Sequence, residues 1–263
     1  MNVVITGATG VLGSFLSRAL CARGDTVIAL SRRPHDLGHR LRNLPVRAYP
    51  YHVDGLRACL SQIPVDALIH AACAYGRHGE SPADLLEANC LVPLRLLEAA
   101  GSQIRRVIAI GTGLPAQVSP YALSKHQFAT WFDRLSSIES RVTVALQHFY
   151  GPGDDDSKFV TRIVRQCLTG NAVPLTIGSQ ERDFIHLEDC LRALLLLLDA
   201  PTESGHLTVS LGSGKTITIR QVAEYIQTAV GNGTLLFGAM PTRVDEPQCC
   251  VADPRSEERR VGK

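Results

Sequence analysis

Two groups of residues in this 263-residue chain have the types and spacing to do chemistry. One is Ser119-Pro120-Tyr121-Ala122-Leu123-Ser124-Lys125. Pro120 suits a first helical turn, so Tyr121 and Lys125 fall at i and i+4, on one helix face. A phenol beside an ammonium is an acid/base pair. Tyrosine ordinarily titrates near 10, and bringing it to neutrality takes about three units, or about 4 kcal/mol. A cation about 5 Å away at an effective dielectric near 20 supplies roughly 3 kcal/mol. The other group is the opening N-V-V-I-T-G-A-T-G-V-L-G, where a β-branched run ends in Gly7, Gly10 and Gly13 and a helical pattern follows. Strand, tight turn and helix start in that order predict a dinucleotide site over Gly7, Thr9, Gly10, Val11, Leu12 and Gly13. Glycine lets the backbone approach a pyrophosphate, and the helix start supplies free N–H groups and a positive dipole end.

Both groups need a scaffold, and strand-like and helix-like stretches alternate along the chain to provide one. The pattern predicts an α/β fold, a doubly wound parallel sheet with helices on both faces. The first helix runs Val11 to Arg23 with Gly24 as its C-cap. Strands are expected at Thr26 to Leu30, Val46 to Val53, Ala67 to Ala72, Arg106 to Ile110 and Val142 to His148, with Asp54 capping a short helix after the third strand. Ala71 and Ala72 are small enough for a dinucleotide to lie across them. His70 reads as a core histidine. Asn89, polar in an apolar helical pattern over about 81–100, is placed to brace the fourth and fifth strands through backbone hydrogen bonds. After the second strand comes Ser31-Arg32-Arg33, where a dinucleotide fold that takes NAD carries an acid. Two arginines there favour a 2′-phosphate, so NADP(H) over NAD(H).

Composition sets the outer limits. The chain is 45% hydrophobic and 20% charged, enough for a large core. No apolar run is long enough to span a bilayer and residue 1 leads straight into a strand, which reads as cytoplasmic. Eight cysteines without a C-x-x-C pair suggest neither a zinc site nor a disulfide framework. Residues Arg255 to Lys263, R-S-E-E-R-R-V-G-K, read like a translated sequencing adapter, which would leave a C-terminally truncated natural chain ending near Pro254. Without their four basic and two acidic residues, 27 and 25 become 23 and 23, and no basic surface for nucleic acid or membrane remains. Asp154-Asp155-Asp156 lacks partner ligands at calcium-loop spacing, so no metal is expected. Gly212-Ser213-Gly214-Lys215-Thr216 looks like part of a phosphate loop, but Val209 stands where such a loop needs glycine, so it reads as a polar turn.

The combination of G-x-x-G-x-x-G, H-A-A at the fourth strand, Thr112 after the fifth, and Tyr121 with Lys125 resembles the extended short-chain dehydrogenases, the nucleotide-sugar epimerase/dehydratase/reductase family. The resemblance covers nearly all of residues 1–254. It implies a Rossmann-type NAD(P) domain over 1–150, with 184–209 returning to it, and a smaller substrate domain over 151–254. It implies that Thr112 binds the substrate oxygen, Tyr121 is the acid/base, and Lys125 lowers the Tyr121 pKa and holds the nicotinamide ribose. His148, and Arg182 in R-D-F-I-H-L-E-D, are implied on the nucleotide-sugar, with Arg243 in R-V-D-E-P as a second arginine. A homodimer through the helices around Asn89 and Tyr121 is also implied. The interval from Thr112 to Tyr121 is shorter than is usual in the family. Gly113-Leu114-Pro115 follows Thr112 where a sugar dehydratase keeps an acidic pair, which leaves reductases and epimerases. T-G-L-P-x-x-V-S-x-Y-x-L-S-K with H-F-Y-G-P-G-D-D-x-S-K-F most resembles the branch that reduces the 4-keto group of a CDP-linked deoxyhexose. An epimerase with tightly held NAD(P), or a non-catalytic NAD(P)-binding member, are the alternatives.

Overall fold

Val3, Val4, Ile5 and Thr6 are fully buried, so the first strand carries apolar atoms on both faces, as a central parallel strand must. The structure, a computed structural model, describes residues 1–243 and 245–253. In chain order the elements are β1 (Asn2–Thr6), α1 (Val11–Arg23), β2 (Thr26–Ser31), α2 (Gly38–Leu41), β3 (Arg47–Pro50), α3 (Val53–Leu60) and β4 (Ala67–His70). Then come α4 (Pro82–Leu86), α5 (Val92–Ala100), β5 (Arg106–Ile110), α6 (Pro120–Asp133), β6 (Ser140–Leu146), β7 (His148–Tyr150), α7 (Phe159–Leu168) and β8 (Ala172–Leu175). The rest are β9 (Glu181–Arg182), β10 (Phe184–His186), α8 (Leu187–Asp199), β11 (Gly205–Leu211), β12 (Ile217–Thr218), α9 (Ile219–Val230), β13 (Thr234–Phe237) and β14 (Cys249–Cys250).

Seven strands form one sheet in the order β11-β6-β5-β4-β1-β2-β3. β1 pairs in parallel with β2 on one side and β4 on the other, with Ile5 opposite both Ala29 and Ile69. The strand order therefore reverses at β1, and the crevice outside its carboxyl end is where such sheets bind ligands. The chain divides into two compact units. The first comprises 1–112, 119–145 and 191–209. Its core includes Leu56, Leu68, Leu96, Leu97, Val107, Phe128 and Phe132. The second comprises 113–118, 146–190 and the described residues from Ser210 on, with Ile163, Cys167, Val173, Leu175 and Ala223 at its centre. Residues 255–263, read above as adapter-derived, lie outside the described residues. All eight cysteines are free thiols. Among the described residues no helix is long and apolar enough to cross a membrane.

Three local expectations change. His52, not Asp54, caps α3: its Nδ1 accepts from Gly55 N at 3.2 Å, and Asp54 sits one residue into the helix, in the first turn. The single helix expected over 81–100 is two helices joined by a π-helical turn, Glu87–Leu91, that carries Asn89. Asn89 does not reach the fifth strand. Its amide closes two 2.8 Å hydrogen bonds on the backbone of Ala74, just past β4, and donates to Ser124 Oγ of α6 at 3.0 Å. The wider turn admits a polar side chain into an apolar seam because both its amide donors and its oxygen find partners there.

Candidate active site

The turn after β1 is built from close approaches that only glycine permits. Gly7 has φ +71, and a Cβ there would lie 2.6 Å from Ala72 N. A Cβ on Gly13 would lie 2.2 Å from the Gly7 carbonyl oxygen. Gly7 therefore brings the turn against Ala71 and Ala72, and Gly13 seats α1 on the turn. Gly10 is the N-cap, with no side-chain cap and no acid in the first turn, and Thr9 and Gly10 are exposed. The orphan N–H groups of α1 thus have no side-chain acceptor, and they are arranged to take an anion at the sheet's switch point. Thr6 and His70 hold this corner together. Thr6 Oγ1 accepts from Ala72 N at 3.2 Å and shares a hydrogen bond with His70 Nδ1 at 2.7 Å. Arg32 and Arg33 are both exposed just beyond β2, where Arg33 N donates to Ser31 Oγ. These features fit a dinucleotide with its pyrophosphate on α1.

Ser119 caps α6, its Oγ accepting from Ala122 N at 3.1 Å, and Pro120 occupies the first turn. That start fixes the helical phase of Tyr121 and Lys125. Thr112, 8% exposed, hydrogen-bonds the Tyr121 phenol, and Lys125 is 3% exposed. Here the structure departs from the electrostatic argument made on spacing. Burial raises the Tyr121 phenol above its ordinary value, and Cys73 adds to this. The groups that pull it back are the Thr112 hydrogen bond and the Arg77 guanidinium. Burial also lowers the Lys125 ammonium, offset in part by Cys73. For each side chain the cost of desolvating its charge is the largest cause, and neither is among the causes of the other's shift. The result is a phenol that keeps its proton in the free protein.

Residues that no periodicity marked also gather here. The Tyr75 and Tyr121 ring centroids lie 5.0 Å apart, Arg77 sits 5.2 Å from the Tyr75 centroid, and Tyr75 hydrogen-bonds Cys73. All three follow β4 in A-C-A-Y-G-R, and the segment after a central parallel strand is where a ligand-facing residue should be sought.

The remaining predicted residues belong to the second unit. His148 opens β7, with its ring 5.8 Å from that of Phe184. Arg182 is 3% exposed; its guanidinium pairs with Glu246 and donates to the carbonyls of Glu181 and Pro247 at 2.7 and 2.9 Å. Contact with a diphosphate therefore requires Glu246 to yield. Arg243 is exposed. The phosphate-loop look-alike has an internal anion: Ser213 N and Gly214 N donate to the fully buried Asp183 carboxylate at 2.7 and 3.0 Å. Ser213 Oγ and Ala252 N complete its coordination.

The chain is similar to CDP-abequose synthase of Salmonella muenchen, 27% identical across 93% of this chain and 86% of that protein. It is also similar to CDP-abequose synthase of Salmonella typhimurium, 28% identical across 97% and 90%. Among solved structures, MoeE5 in complex with UDP-glucuronic acid and NAD superposes with a TM-score of 0.84 at 25% identity, covering 98% of this chain and 92% of that one. The UDP-glucose 4-epimerase of Thermus thermophilus, in complex with NAD, shares the fold with a TM-score of 0.82 at 22% identity, over 97% and 91%. Residues 3–212 match the NAD dependent epimerase/dehydratase family, and the chain belongs to that family.

Proposed function

We propose that this enzyme uses NADPH to reduce the 4-keto group of a nucleotide-linked 4-keto-6-deoxyhexose, with CDP as the nucleotide. The observation that carries the reading is the pair of hydroxyls, Thr112 and Tyr121, hydrogen-bonded to each other, with the Tyr121 phenol held protonated by burial. Such a pair is set to receive a carbonyl oxygen and protonate it. Dehydration is disfavoured at the next residue: a Cβ on Gly113 would lie 2.3 Å from Gln147 Nε2, so an acidic side chain has no room unless Gln147 moves. Similarity to the two CDP-abequose synthases over most of the chain supports CDP and the deoxyhexose.

The residues then divide the work. Gly7, Thr9, Gly10, Val11, Leu12 and Gly13 would hold the pyrophosphate, Arg32 and Arg33 the 2′-phosphate, and Ala71 and Ala72 leave room across the sheet. NADPH, when bound, supplies a hydride. Thr112 orients the substrate oxygen, and Tyr121 gives its proton to that oxygen as negative charge develops on it. Lys125 lies one helical turn beyond Tyr121, to hold the nicotinamide ribose. His148, Arg182 and Arg243 contact the nucleotide-sugar, with Arg182 exchanging Glu246 for a phosphate. An epimerase with retained cofactor is the second reading, favoured by the fold shared with NAD-bound epimerases.

Removing the Tyr121 hydroxyl tests the assignment. Tyr121→Phe should lower kcat by about 10²–10⁴-fold while NADPH affinity stays within about twofold, because the hydroxyl acts in the transition state. Unchanged kcat, or a loss confined to NADPH binding, would remove Tyr121 from the chemistry.

A further inference from the structure

Reduction moves negative charge onto Tyr121: as its proton passes to the substrate oxygen the phenol becomes a phenolate, and solvent returns the proton after product leaves. A group that stabilises the phenolate lowers the barrier to that step. Burial raises the phenol, and what opposes burial is the Thr112 hydrogen bond and the Arg77 guanidinium, not Lys125. The segment after β4 is built to bring Arg77 there. Asn89 accepts from Ala74 N and donates to Ala74 O, each at 2.8 Å, and the same amide nitrogen donates to Ser124 Oγ of α6 at 3.0 Å. Cys73 and Tyr75, on either side of Ala74, are thereby tied to the helix that carries Tyr121. Gly76 then turns the chain at φ +72, a conformation that L side chains rarely adopt. Beyond that turn Arg77 lies over the Tyr75 ring, its Cζ 5.2 Å from the centroid. Tyr75 in turn lies on Tyr121, with ring centroids 5.0 Å apart and planes 35° apart. Guanidinium, ring and ring form one stack, in which the aromatic face attracts the cation.

We propose that Arg77, held on the Tyr75 ring, is the cation that stabilises the Tyr121 phenolate during turnover, which makes Tyr75 and Arg77 positioning residues for the reaction. This rests on the reading of Tyr121 as the proton donor. The titratable and charged groups that act on Tyr121 from this segment are Cys73, Tyr75 and Arg77. Lys125 stands on its own helix, and Thr112, after β5, is its neutral partner. Cys73 and Tyr75 oppose a phenolate, so Arg77 is the one member of the segment that favours it. Arg77 is exposed, and water screens part of its charge, so the effect is modest. The division leaves the buried Lys125 ammonium to the nicotinamide ribose.

Arg77→Gln tests the charge. Its kcat should fall about threefold to tenfold, while the KM for the sugar and the affinity for NADPH stay within about twofold. Arg77→Lys, which keeps the cation, should recover most of the rate. In a Tyr121→Phe background Arg77→Gln should cost nothing further, because no phenolate forms there. An unchanged kcat, a loss confined to KM, a loss that lysine does not recover, or one that adds in full to Tyr121→Phe overturns the role of Arg77. A wild type inactive on every nucleotide-linked 4-keto sugar overturns the proposed function instead. The role of Arg77 is then decided without turnover, by placing difluorotyrosine at position 121, where its phenol ionises below those of the other tyrosines, and following phenolate absorbance against pH. Arg77→Gln should raise that midpoint by about half a unit, since removing a nearby cation disfavours the phenolate. An unmoved or lowered midpoint overturns the proposal.

Discussion

Arg32 and Arg33 stand exposed just past β2, on the side of β1 away from β4. Replacing both with alanine should weaken NADPH binding by about 1–3 kcal/mol and leave NADH nearly unchanged, measured by fluorescence titration of each cofactor. Equal losses would show that they do not read the 2′-phosphate. His70 makes the opposite case, a titratable group held away from water. Burial lowers its imidazole well below the ordinary value, and Lys125 adds to the shift. The folded protein keeps it neutral, while the unfolded chain takes up a proton below about pH 6.5. Its stabilising contribution is complete above that pH and is lost as pH falls towards the folded value, by at most about 1.4 kcal/mol per unit. Urea unfolding of wild type and His70→Gln between about pH 5 and 7 should show a shallower decline in the variant. Parallel declines would mean that His70 protonates in the folded state. Tyr121 and Lys125 were legible because helical spacing alone puts them on one face. Tyr75 and Cys73 were not, because the irregular segment carrying them has no period to read. Burial, which raises the Tyr121 phenol, is likewise invisible in spacing.

Among the elements, α1 and its turn are the most tightly specified. The bounds Val11 to Arg23 follow from the apolar stripe, and Gly24 ends the helix at φ +90. The three glycines do separate jobs: Gly7 turns, Gly10 exposes the helix start and Gly13 allows contact with the turn. Gly13→Ala tests the last. Its Cβ would meet backbone rather than a side chain that could swing aside. Loss of about 1–3 kcal/mol is expected in urea unfolding, seen as a lower midpoint at constant slope. An unshifted midpoint would mean that α1 can withdraw at no cost. The segment around Asn89 was harder to read, since a π-helical turn inserts one residue without disturbing the apolar pattern on either side. The cap of α3 was misplaced by two residues for a related reason. Aspartate is the commoner cap, but the chain leaves extended backbone at His52, and the cap is set by where that happens.

Over the whole molecule, the alternation of strands and helices was enough to read a parallel α/β sheet, because parallel strands require crossovers and the crossovers here are helical. The small pairings of the second unit were not readable. β9, β12 and β14 are two-residue strands whose partners are far apart in sequence. Asp183 shows why such contacts escape a local reading: its acceptors serve Ser213, Gly214 and Ala252, at separations of 30 residues and more. The same contact explains why a glycine-serine-glycine turn could look like a phosphate loop, since it does bind an anion, one belonging to its own chain. The proposed reaction is a net reduction, and cofactor stoichiometry measures it. With limiting NADPH and excess CDP-4-keto-6-deoxyhexose, nicotinamide absorbance and sugar product should change one for one, and the reaction should stop when NADPH is gone. Interconversion of a nucleotide hexose at constant nicotinamide absorbance would rule out the reductase and identify an epimerase.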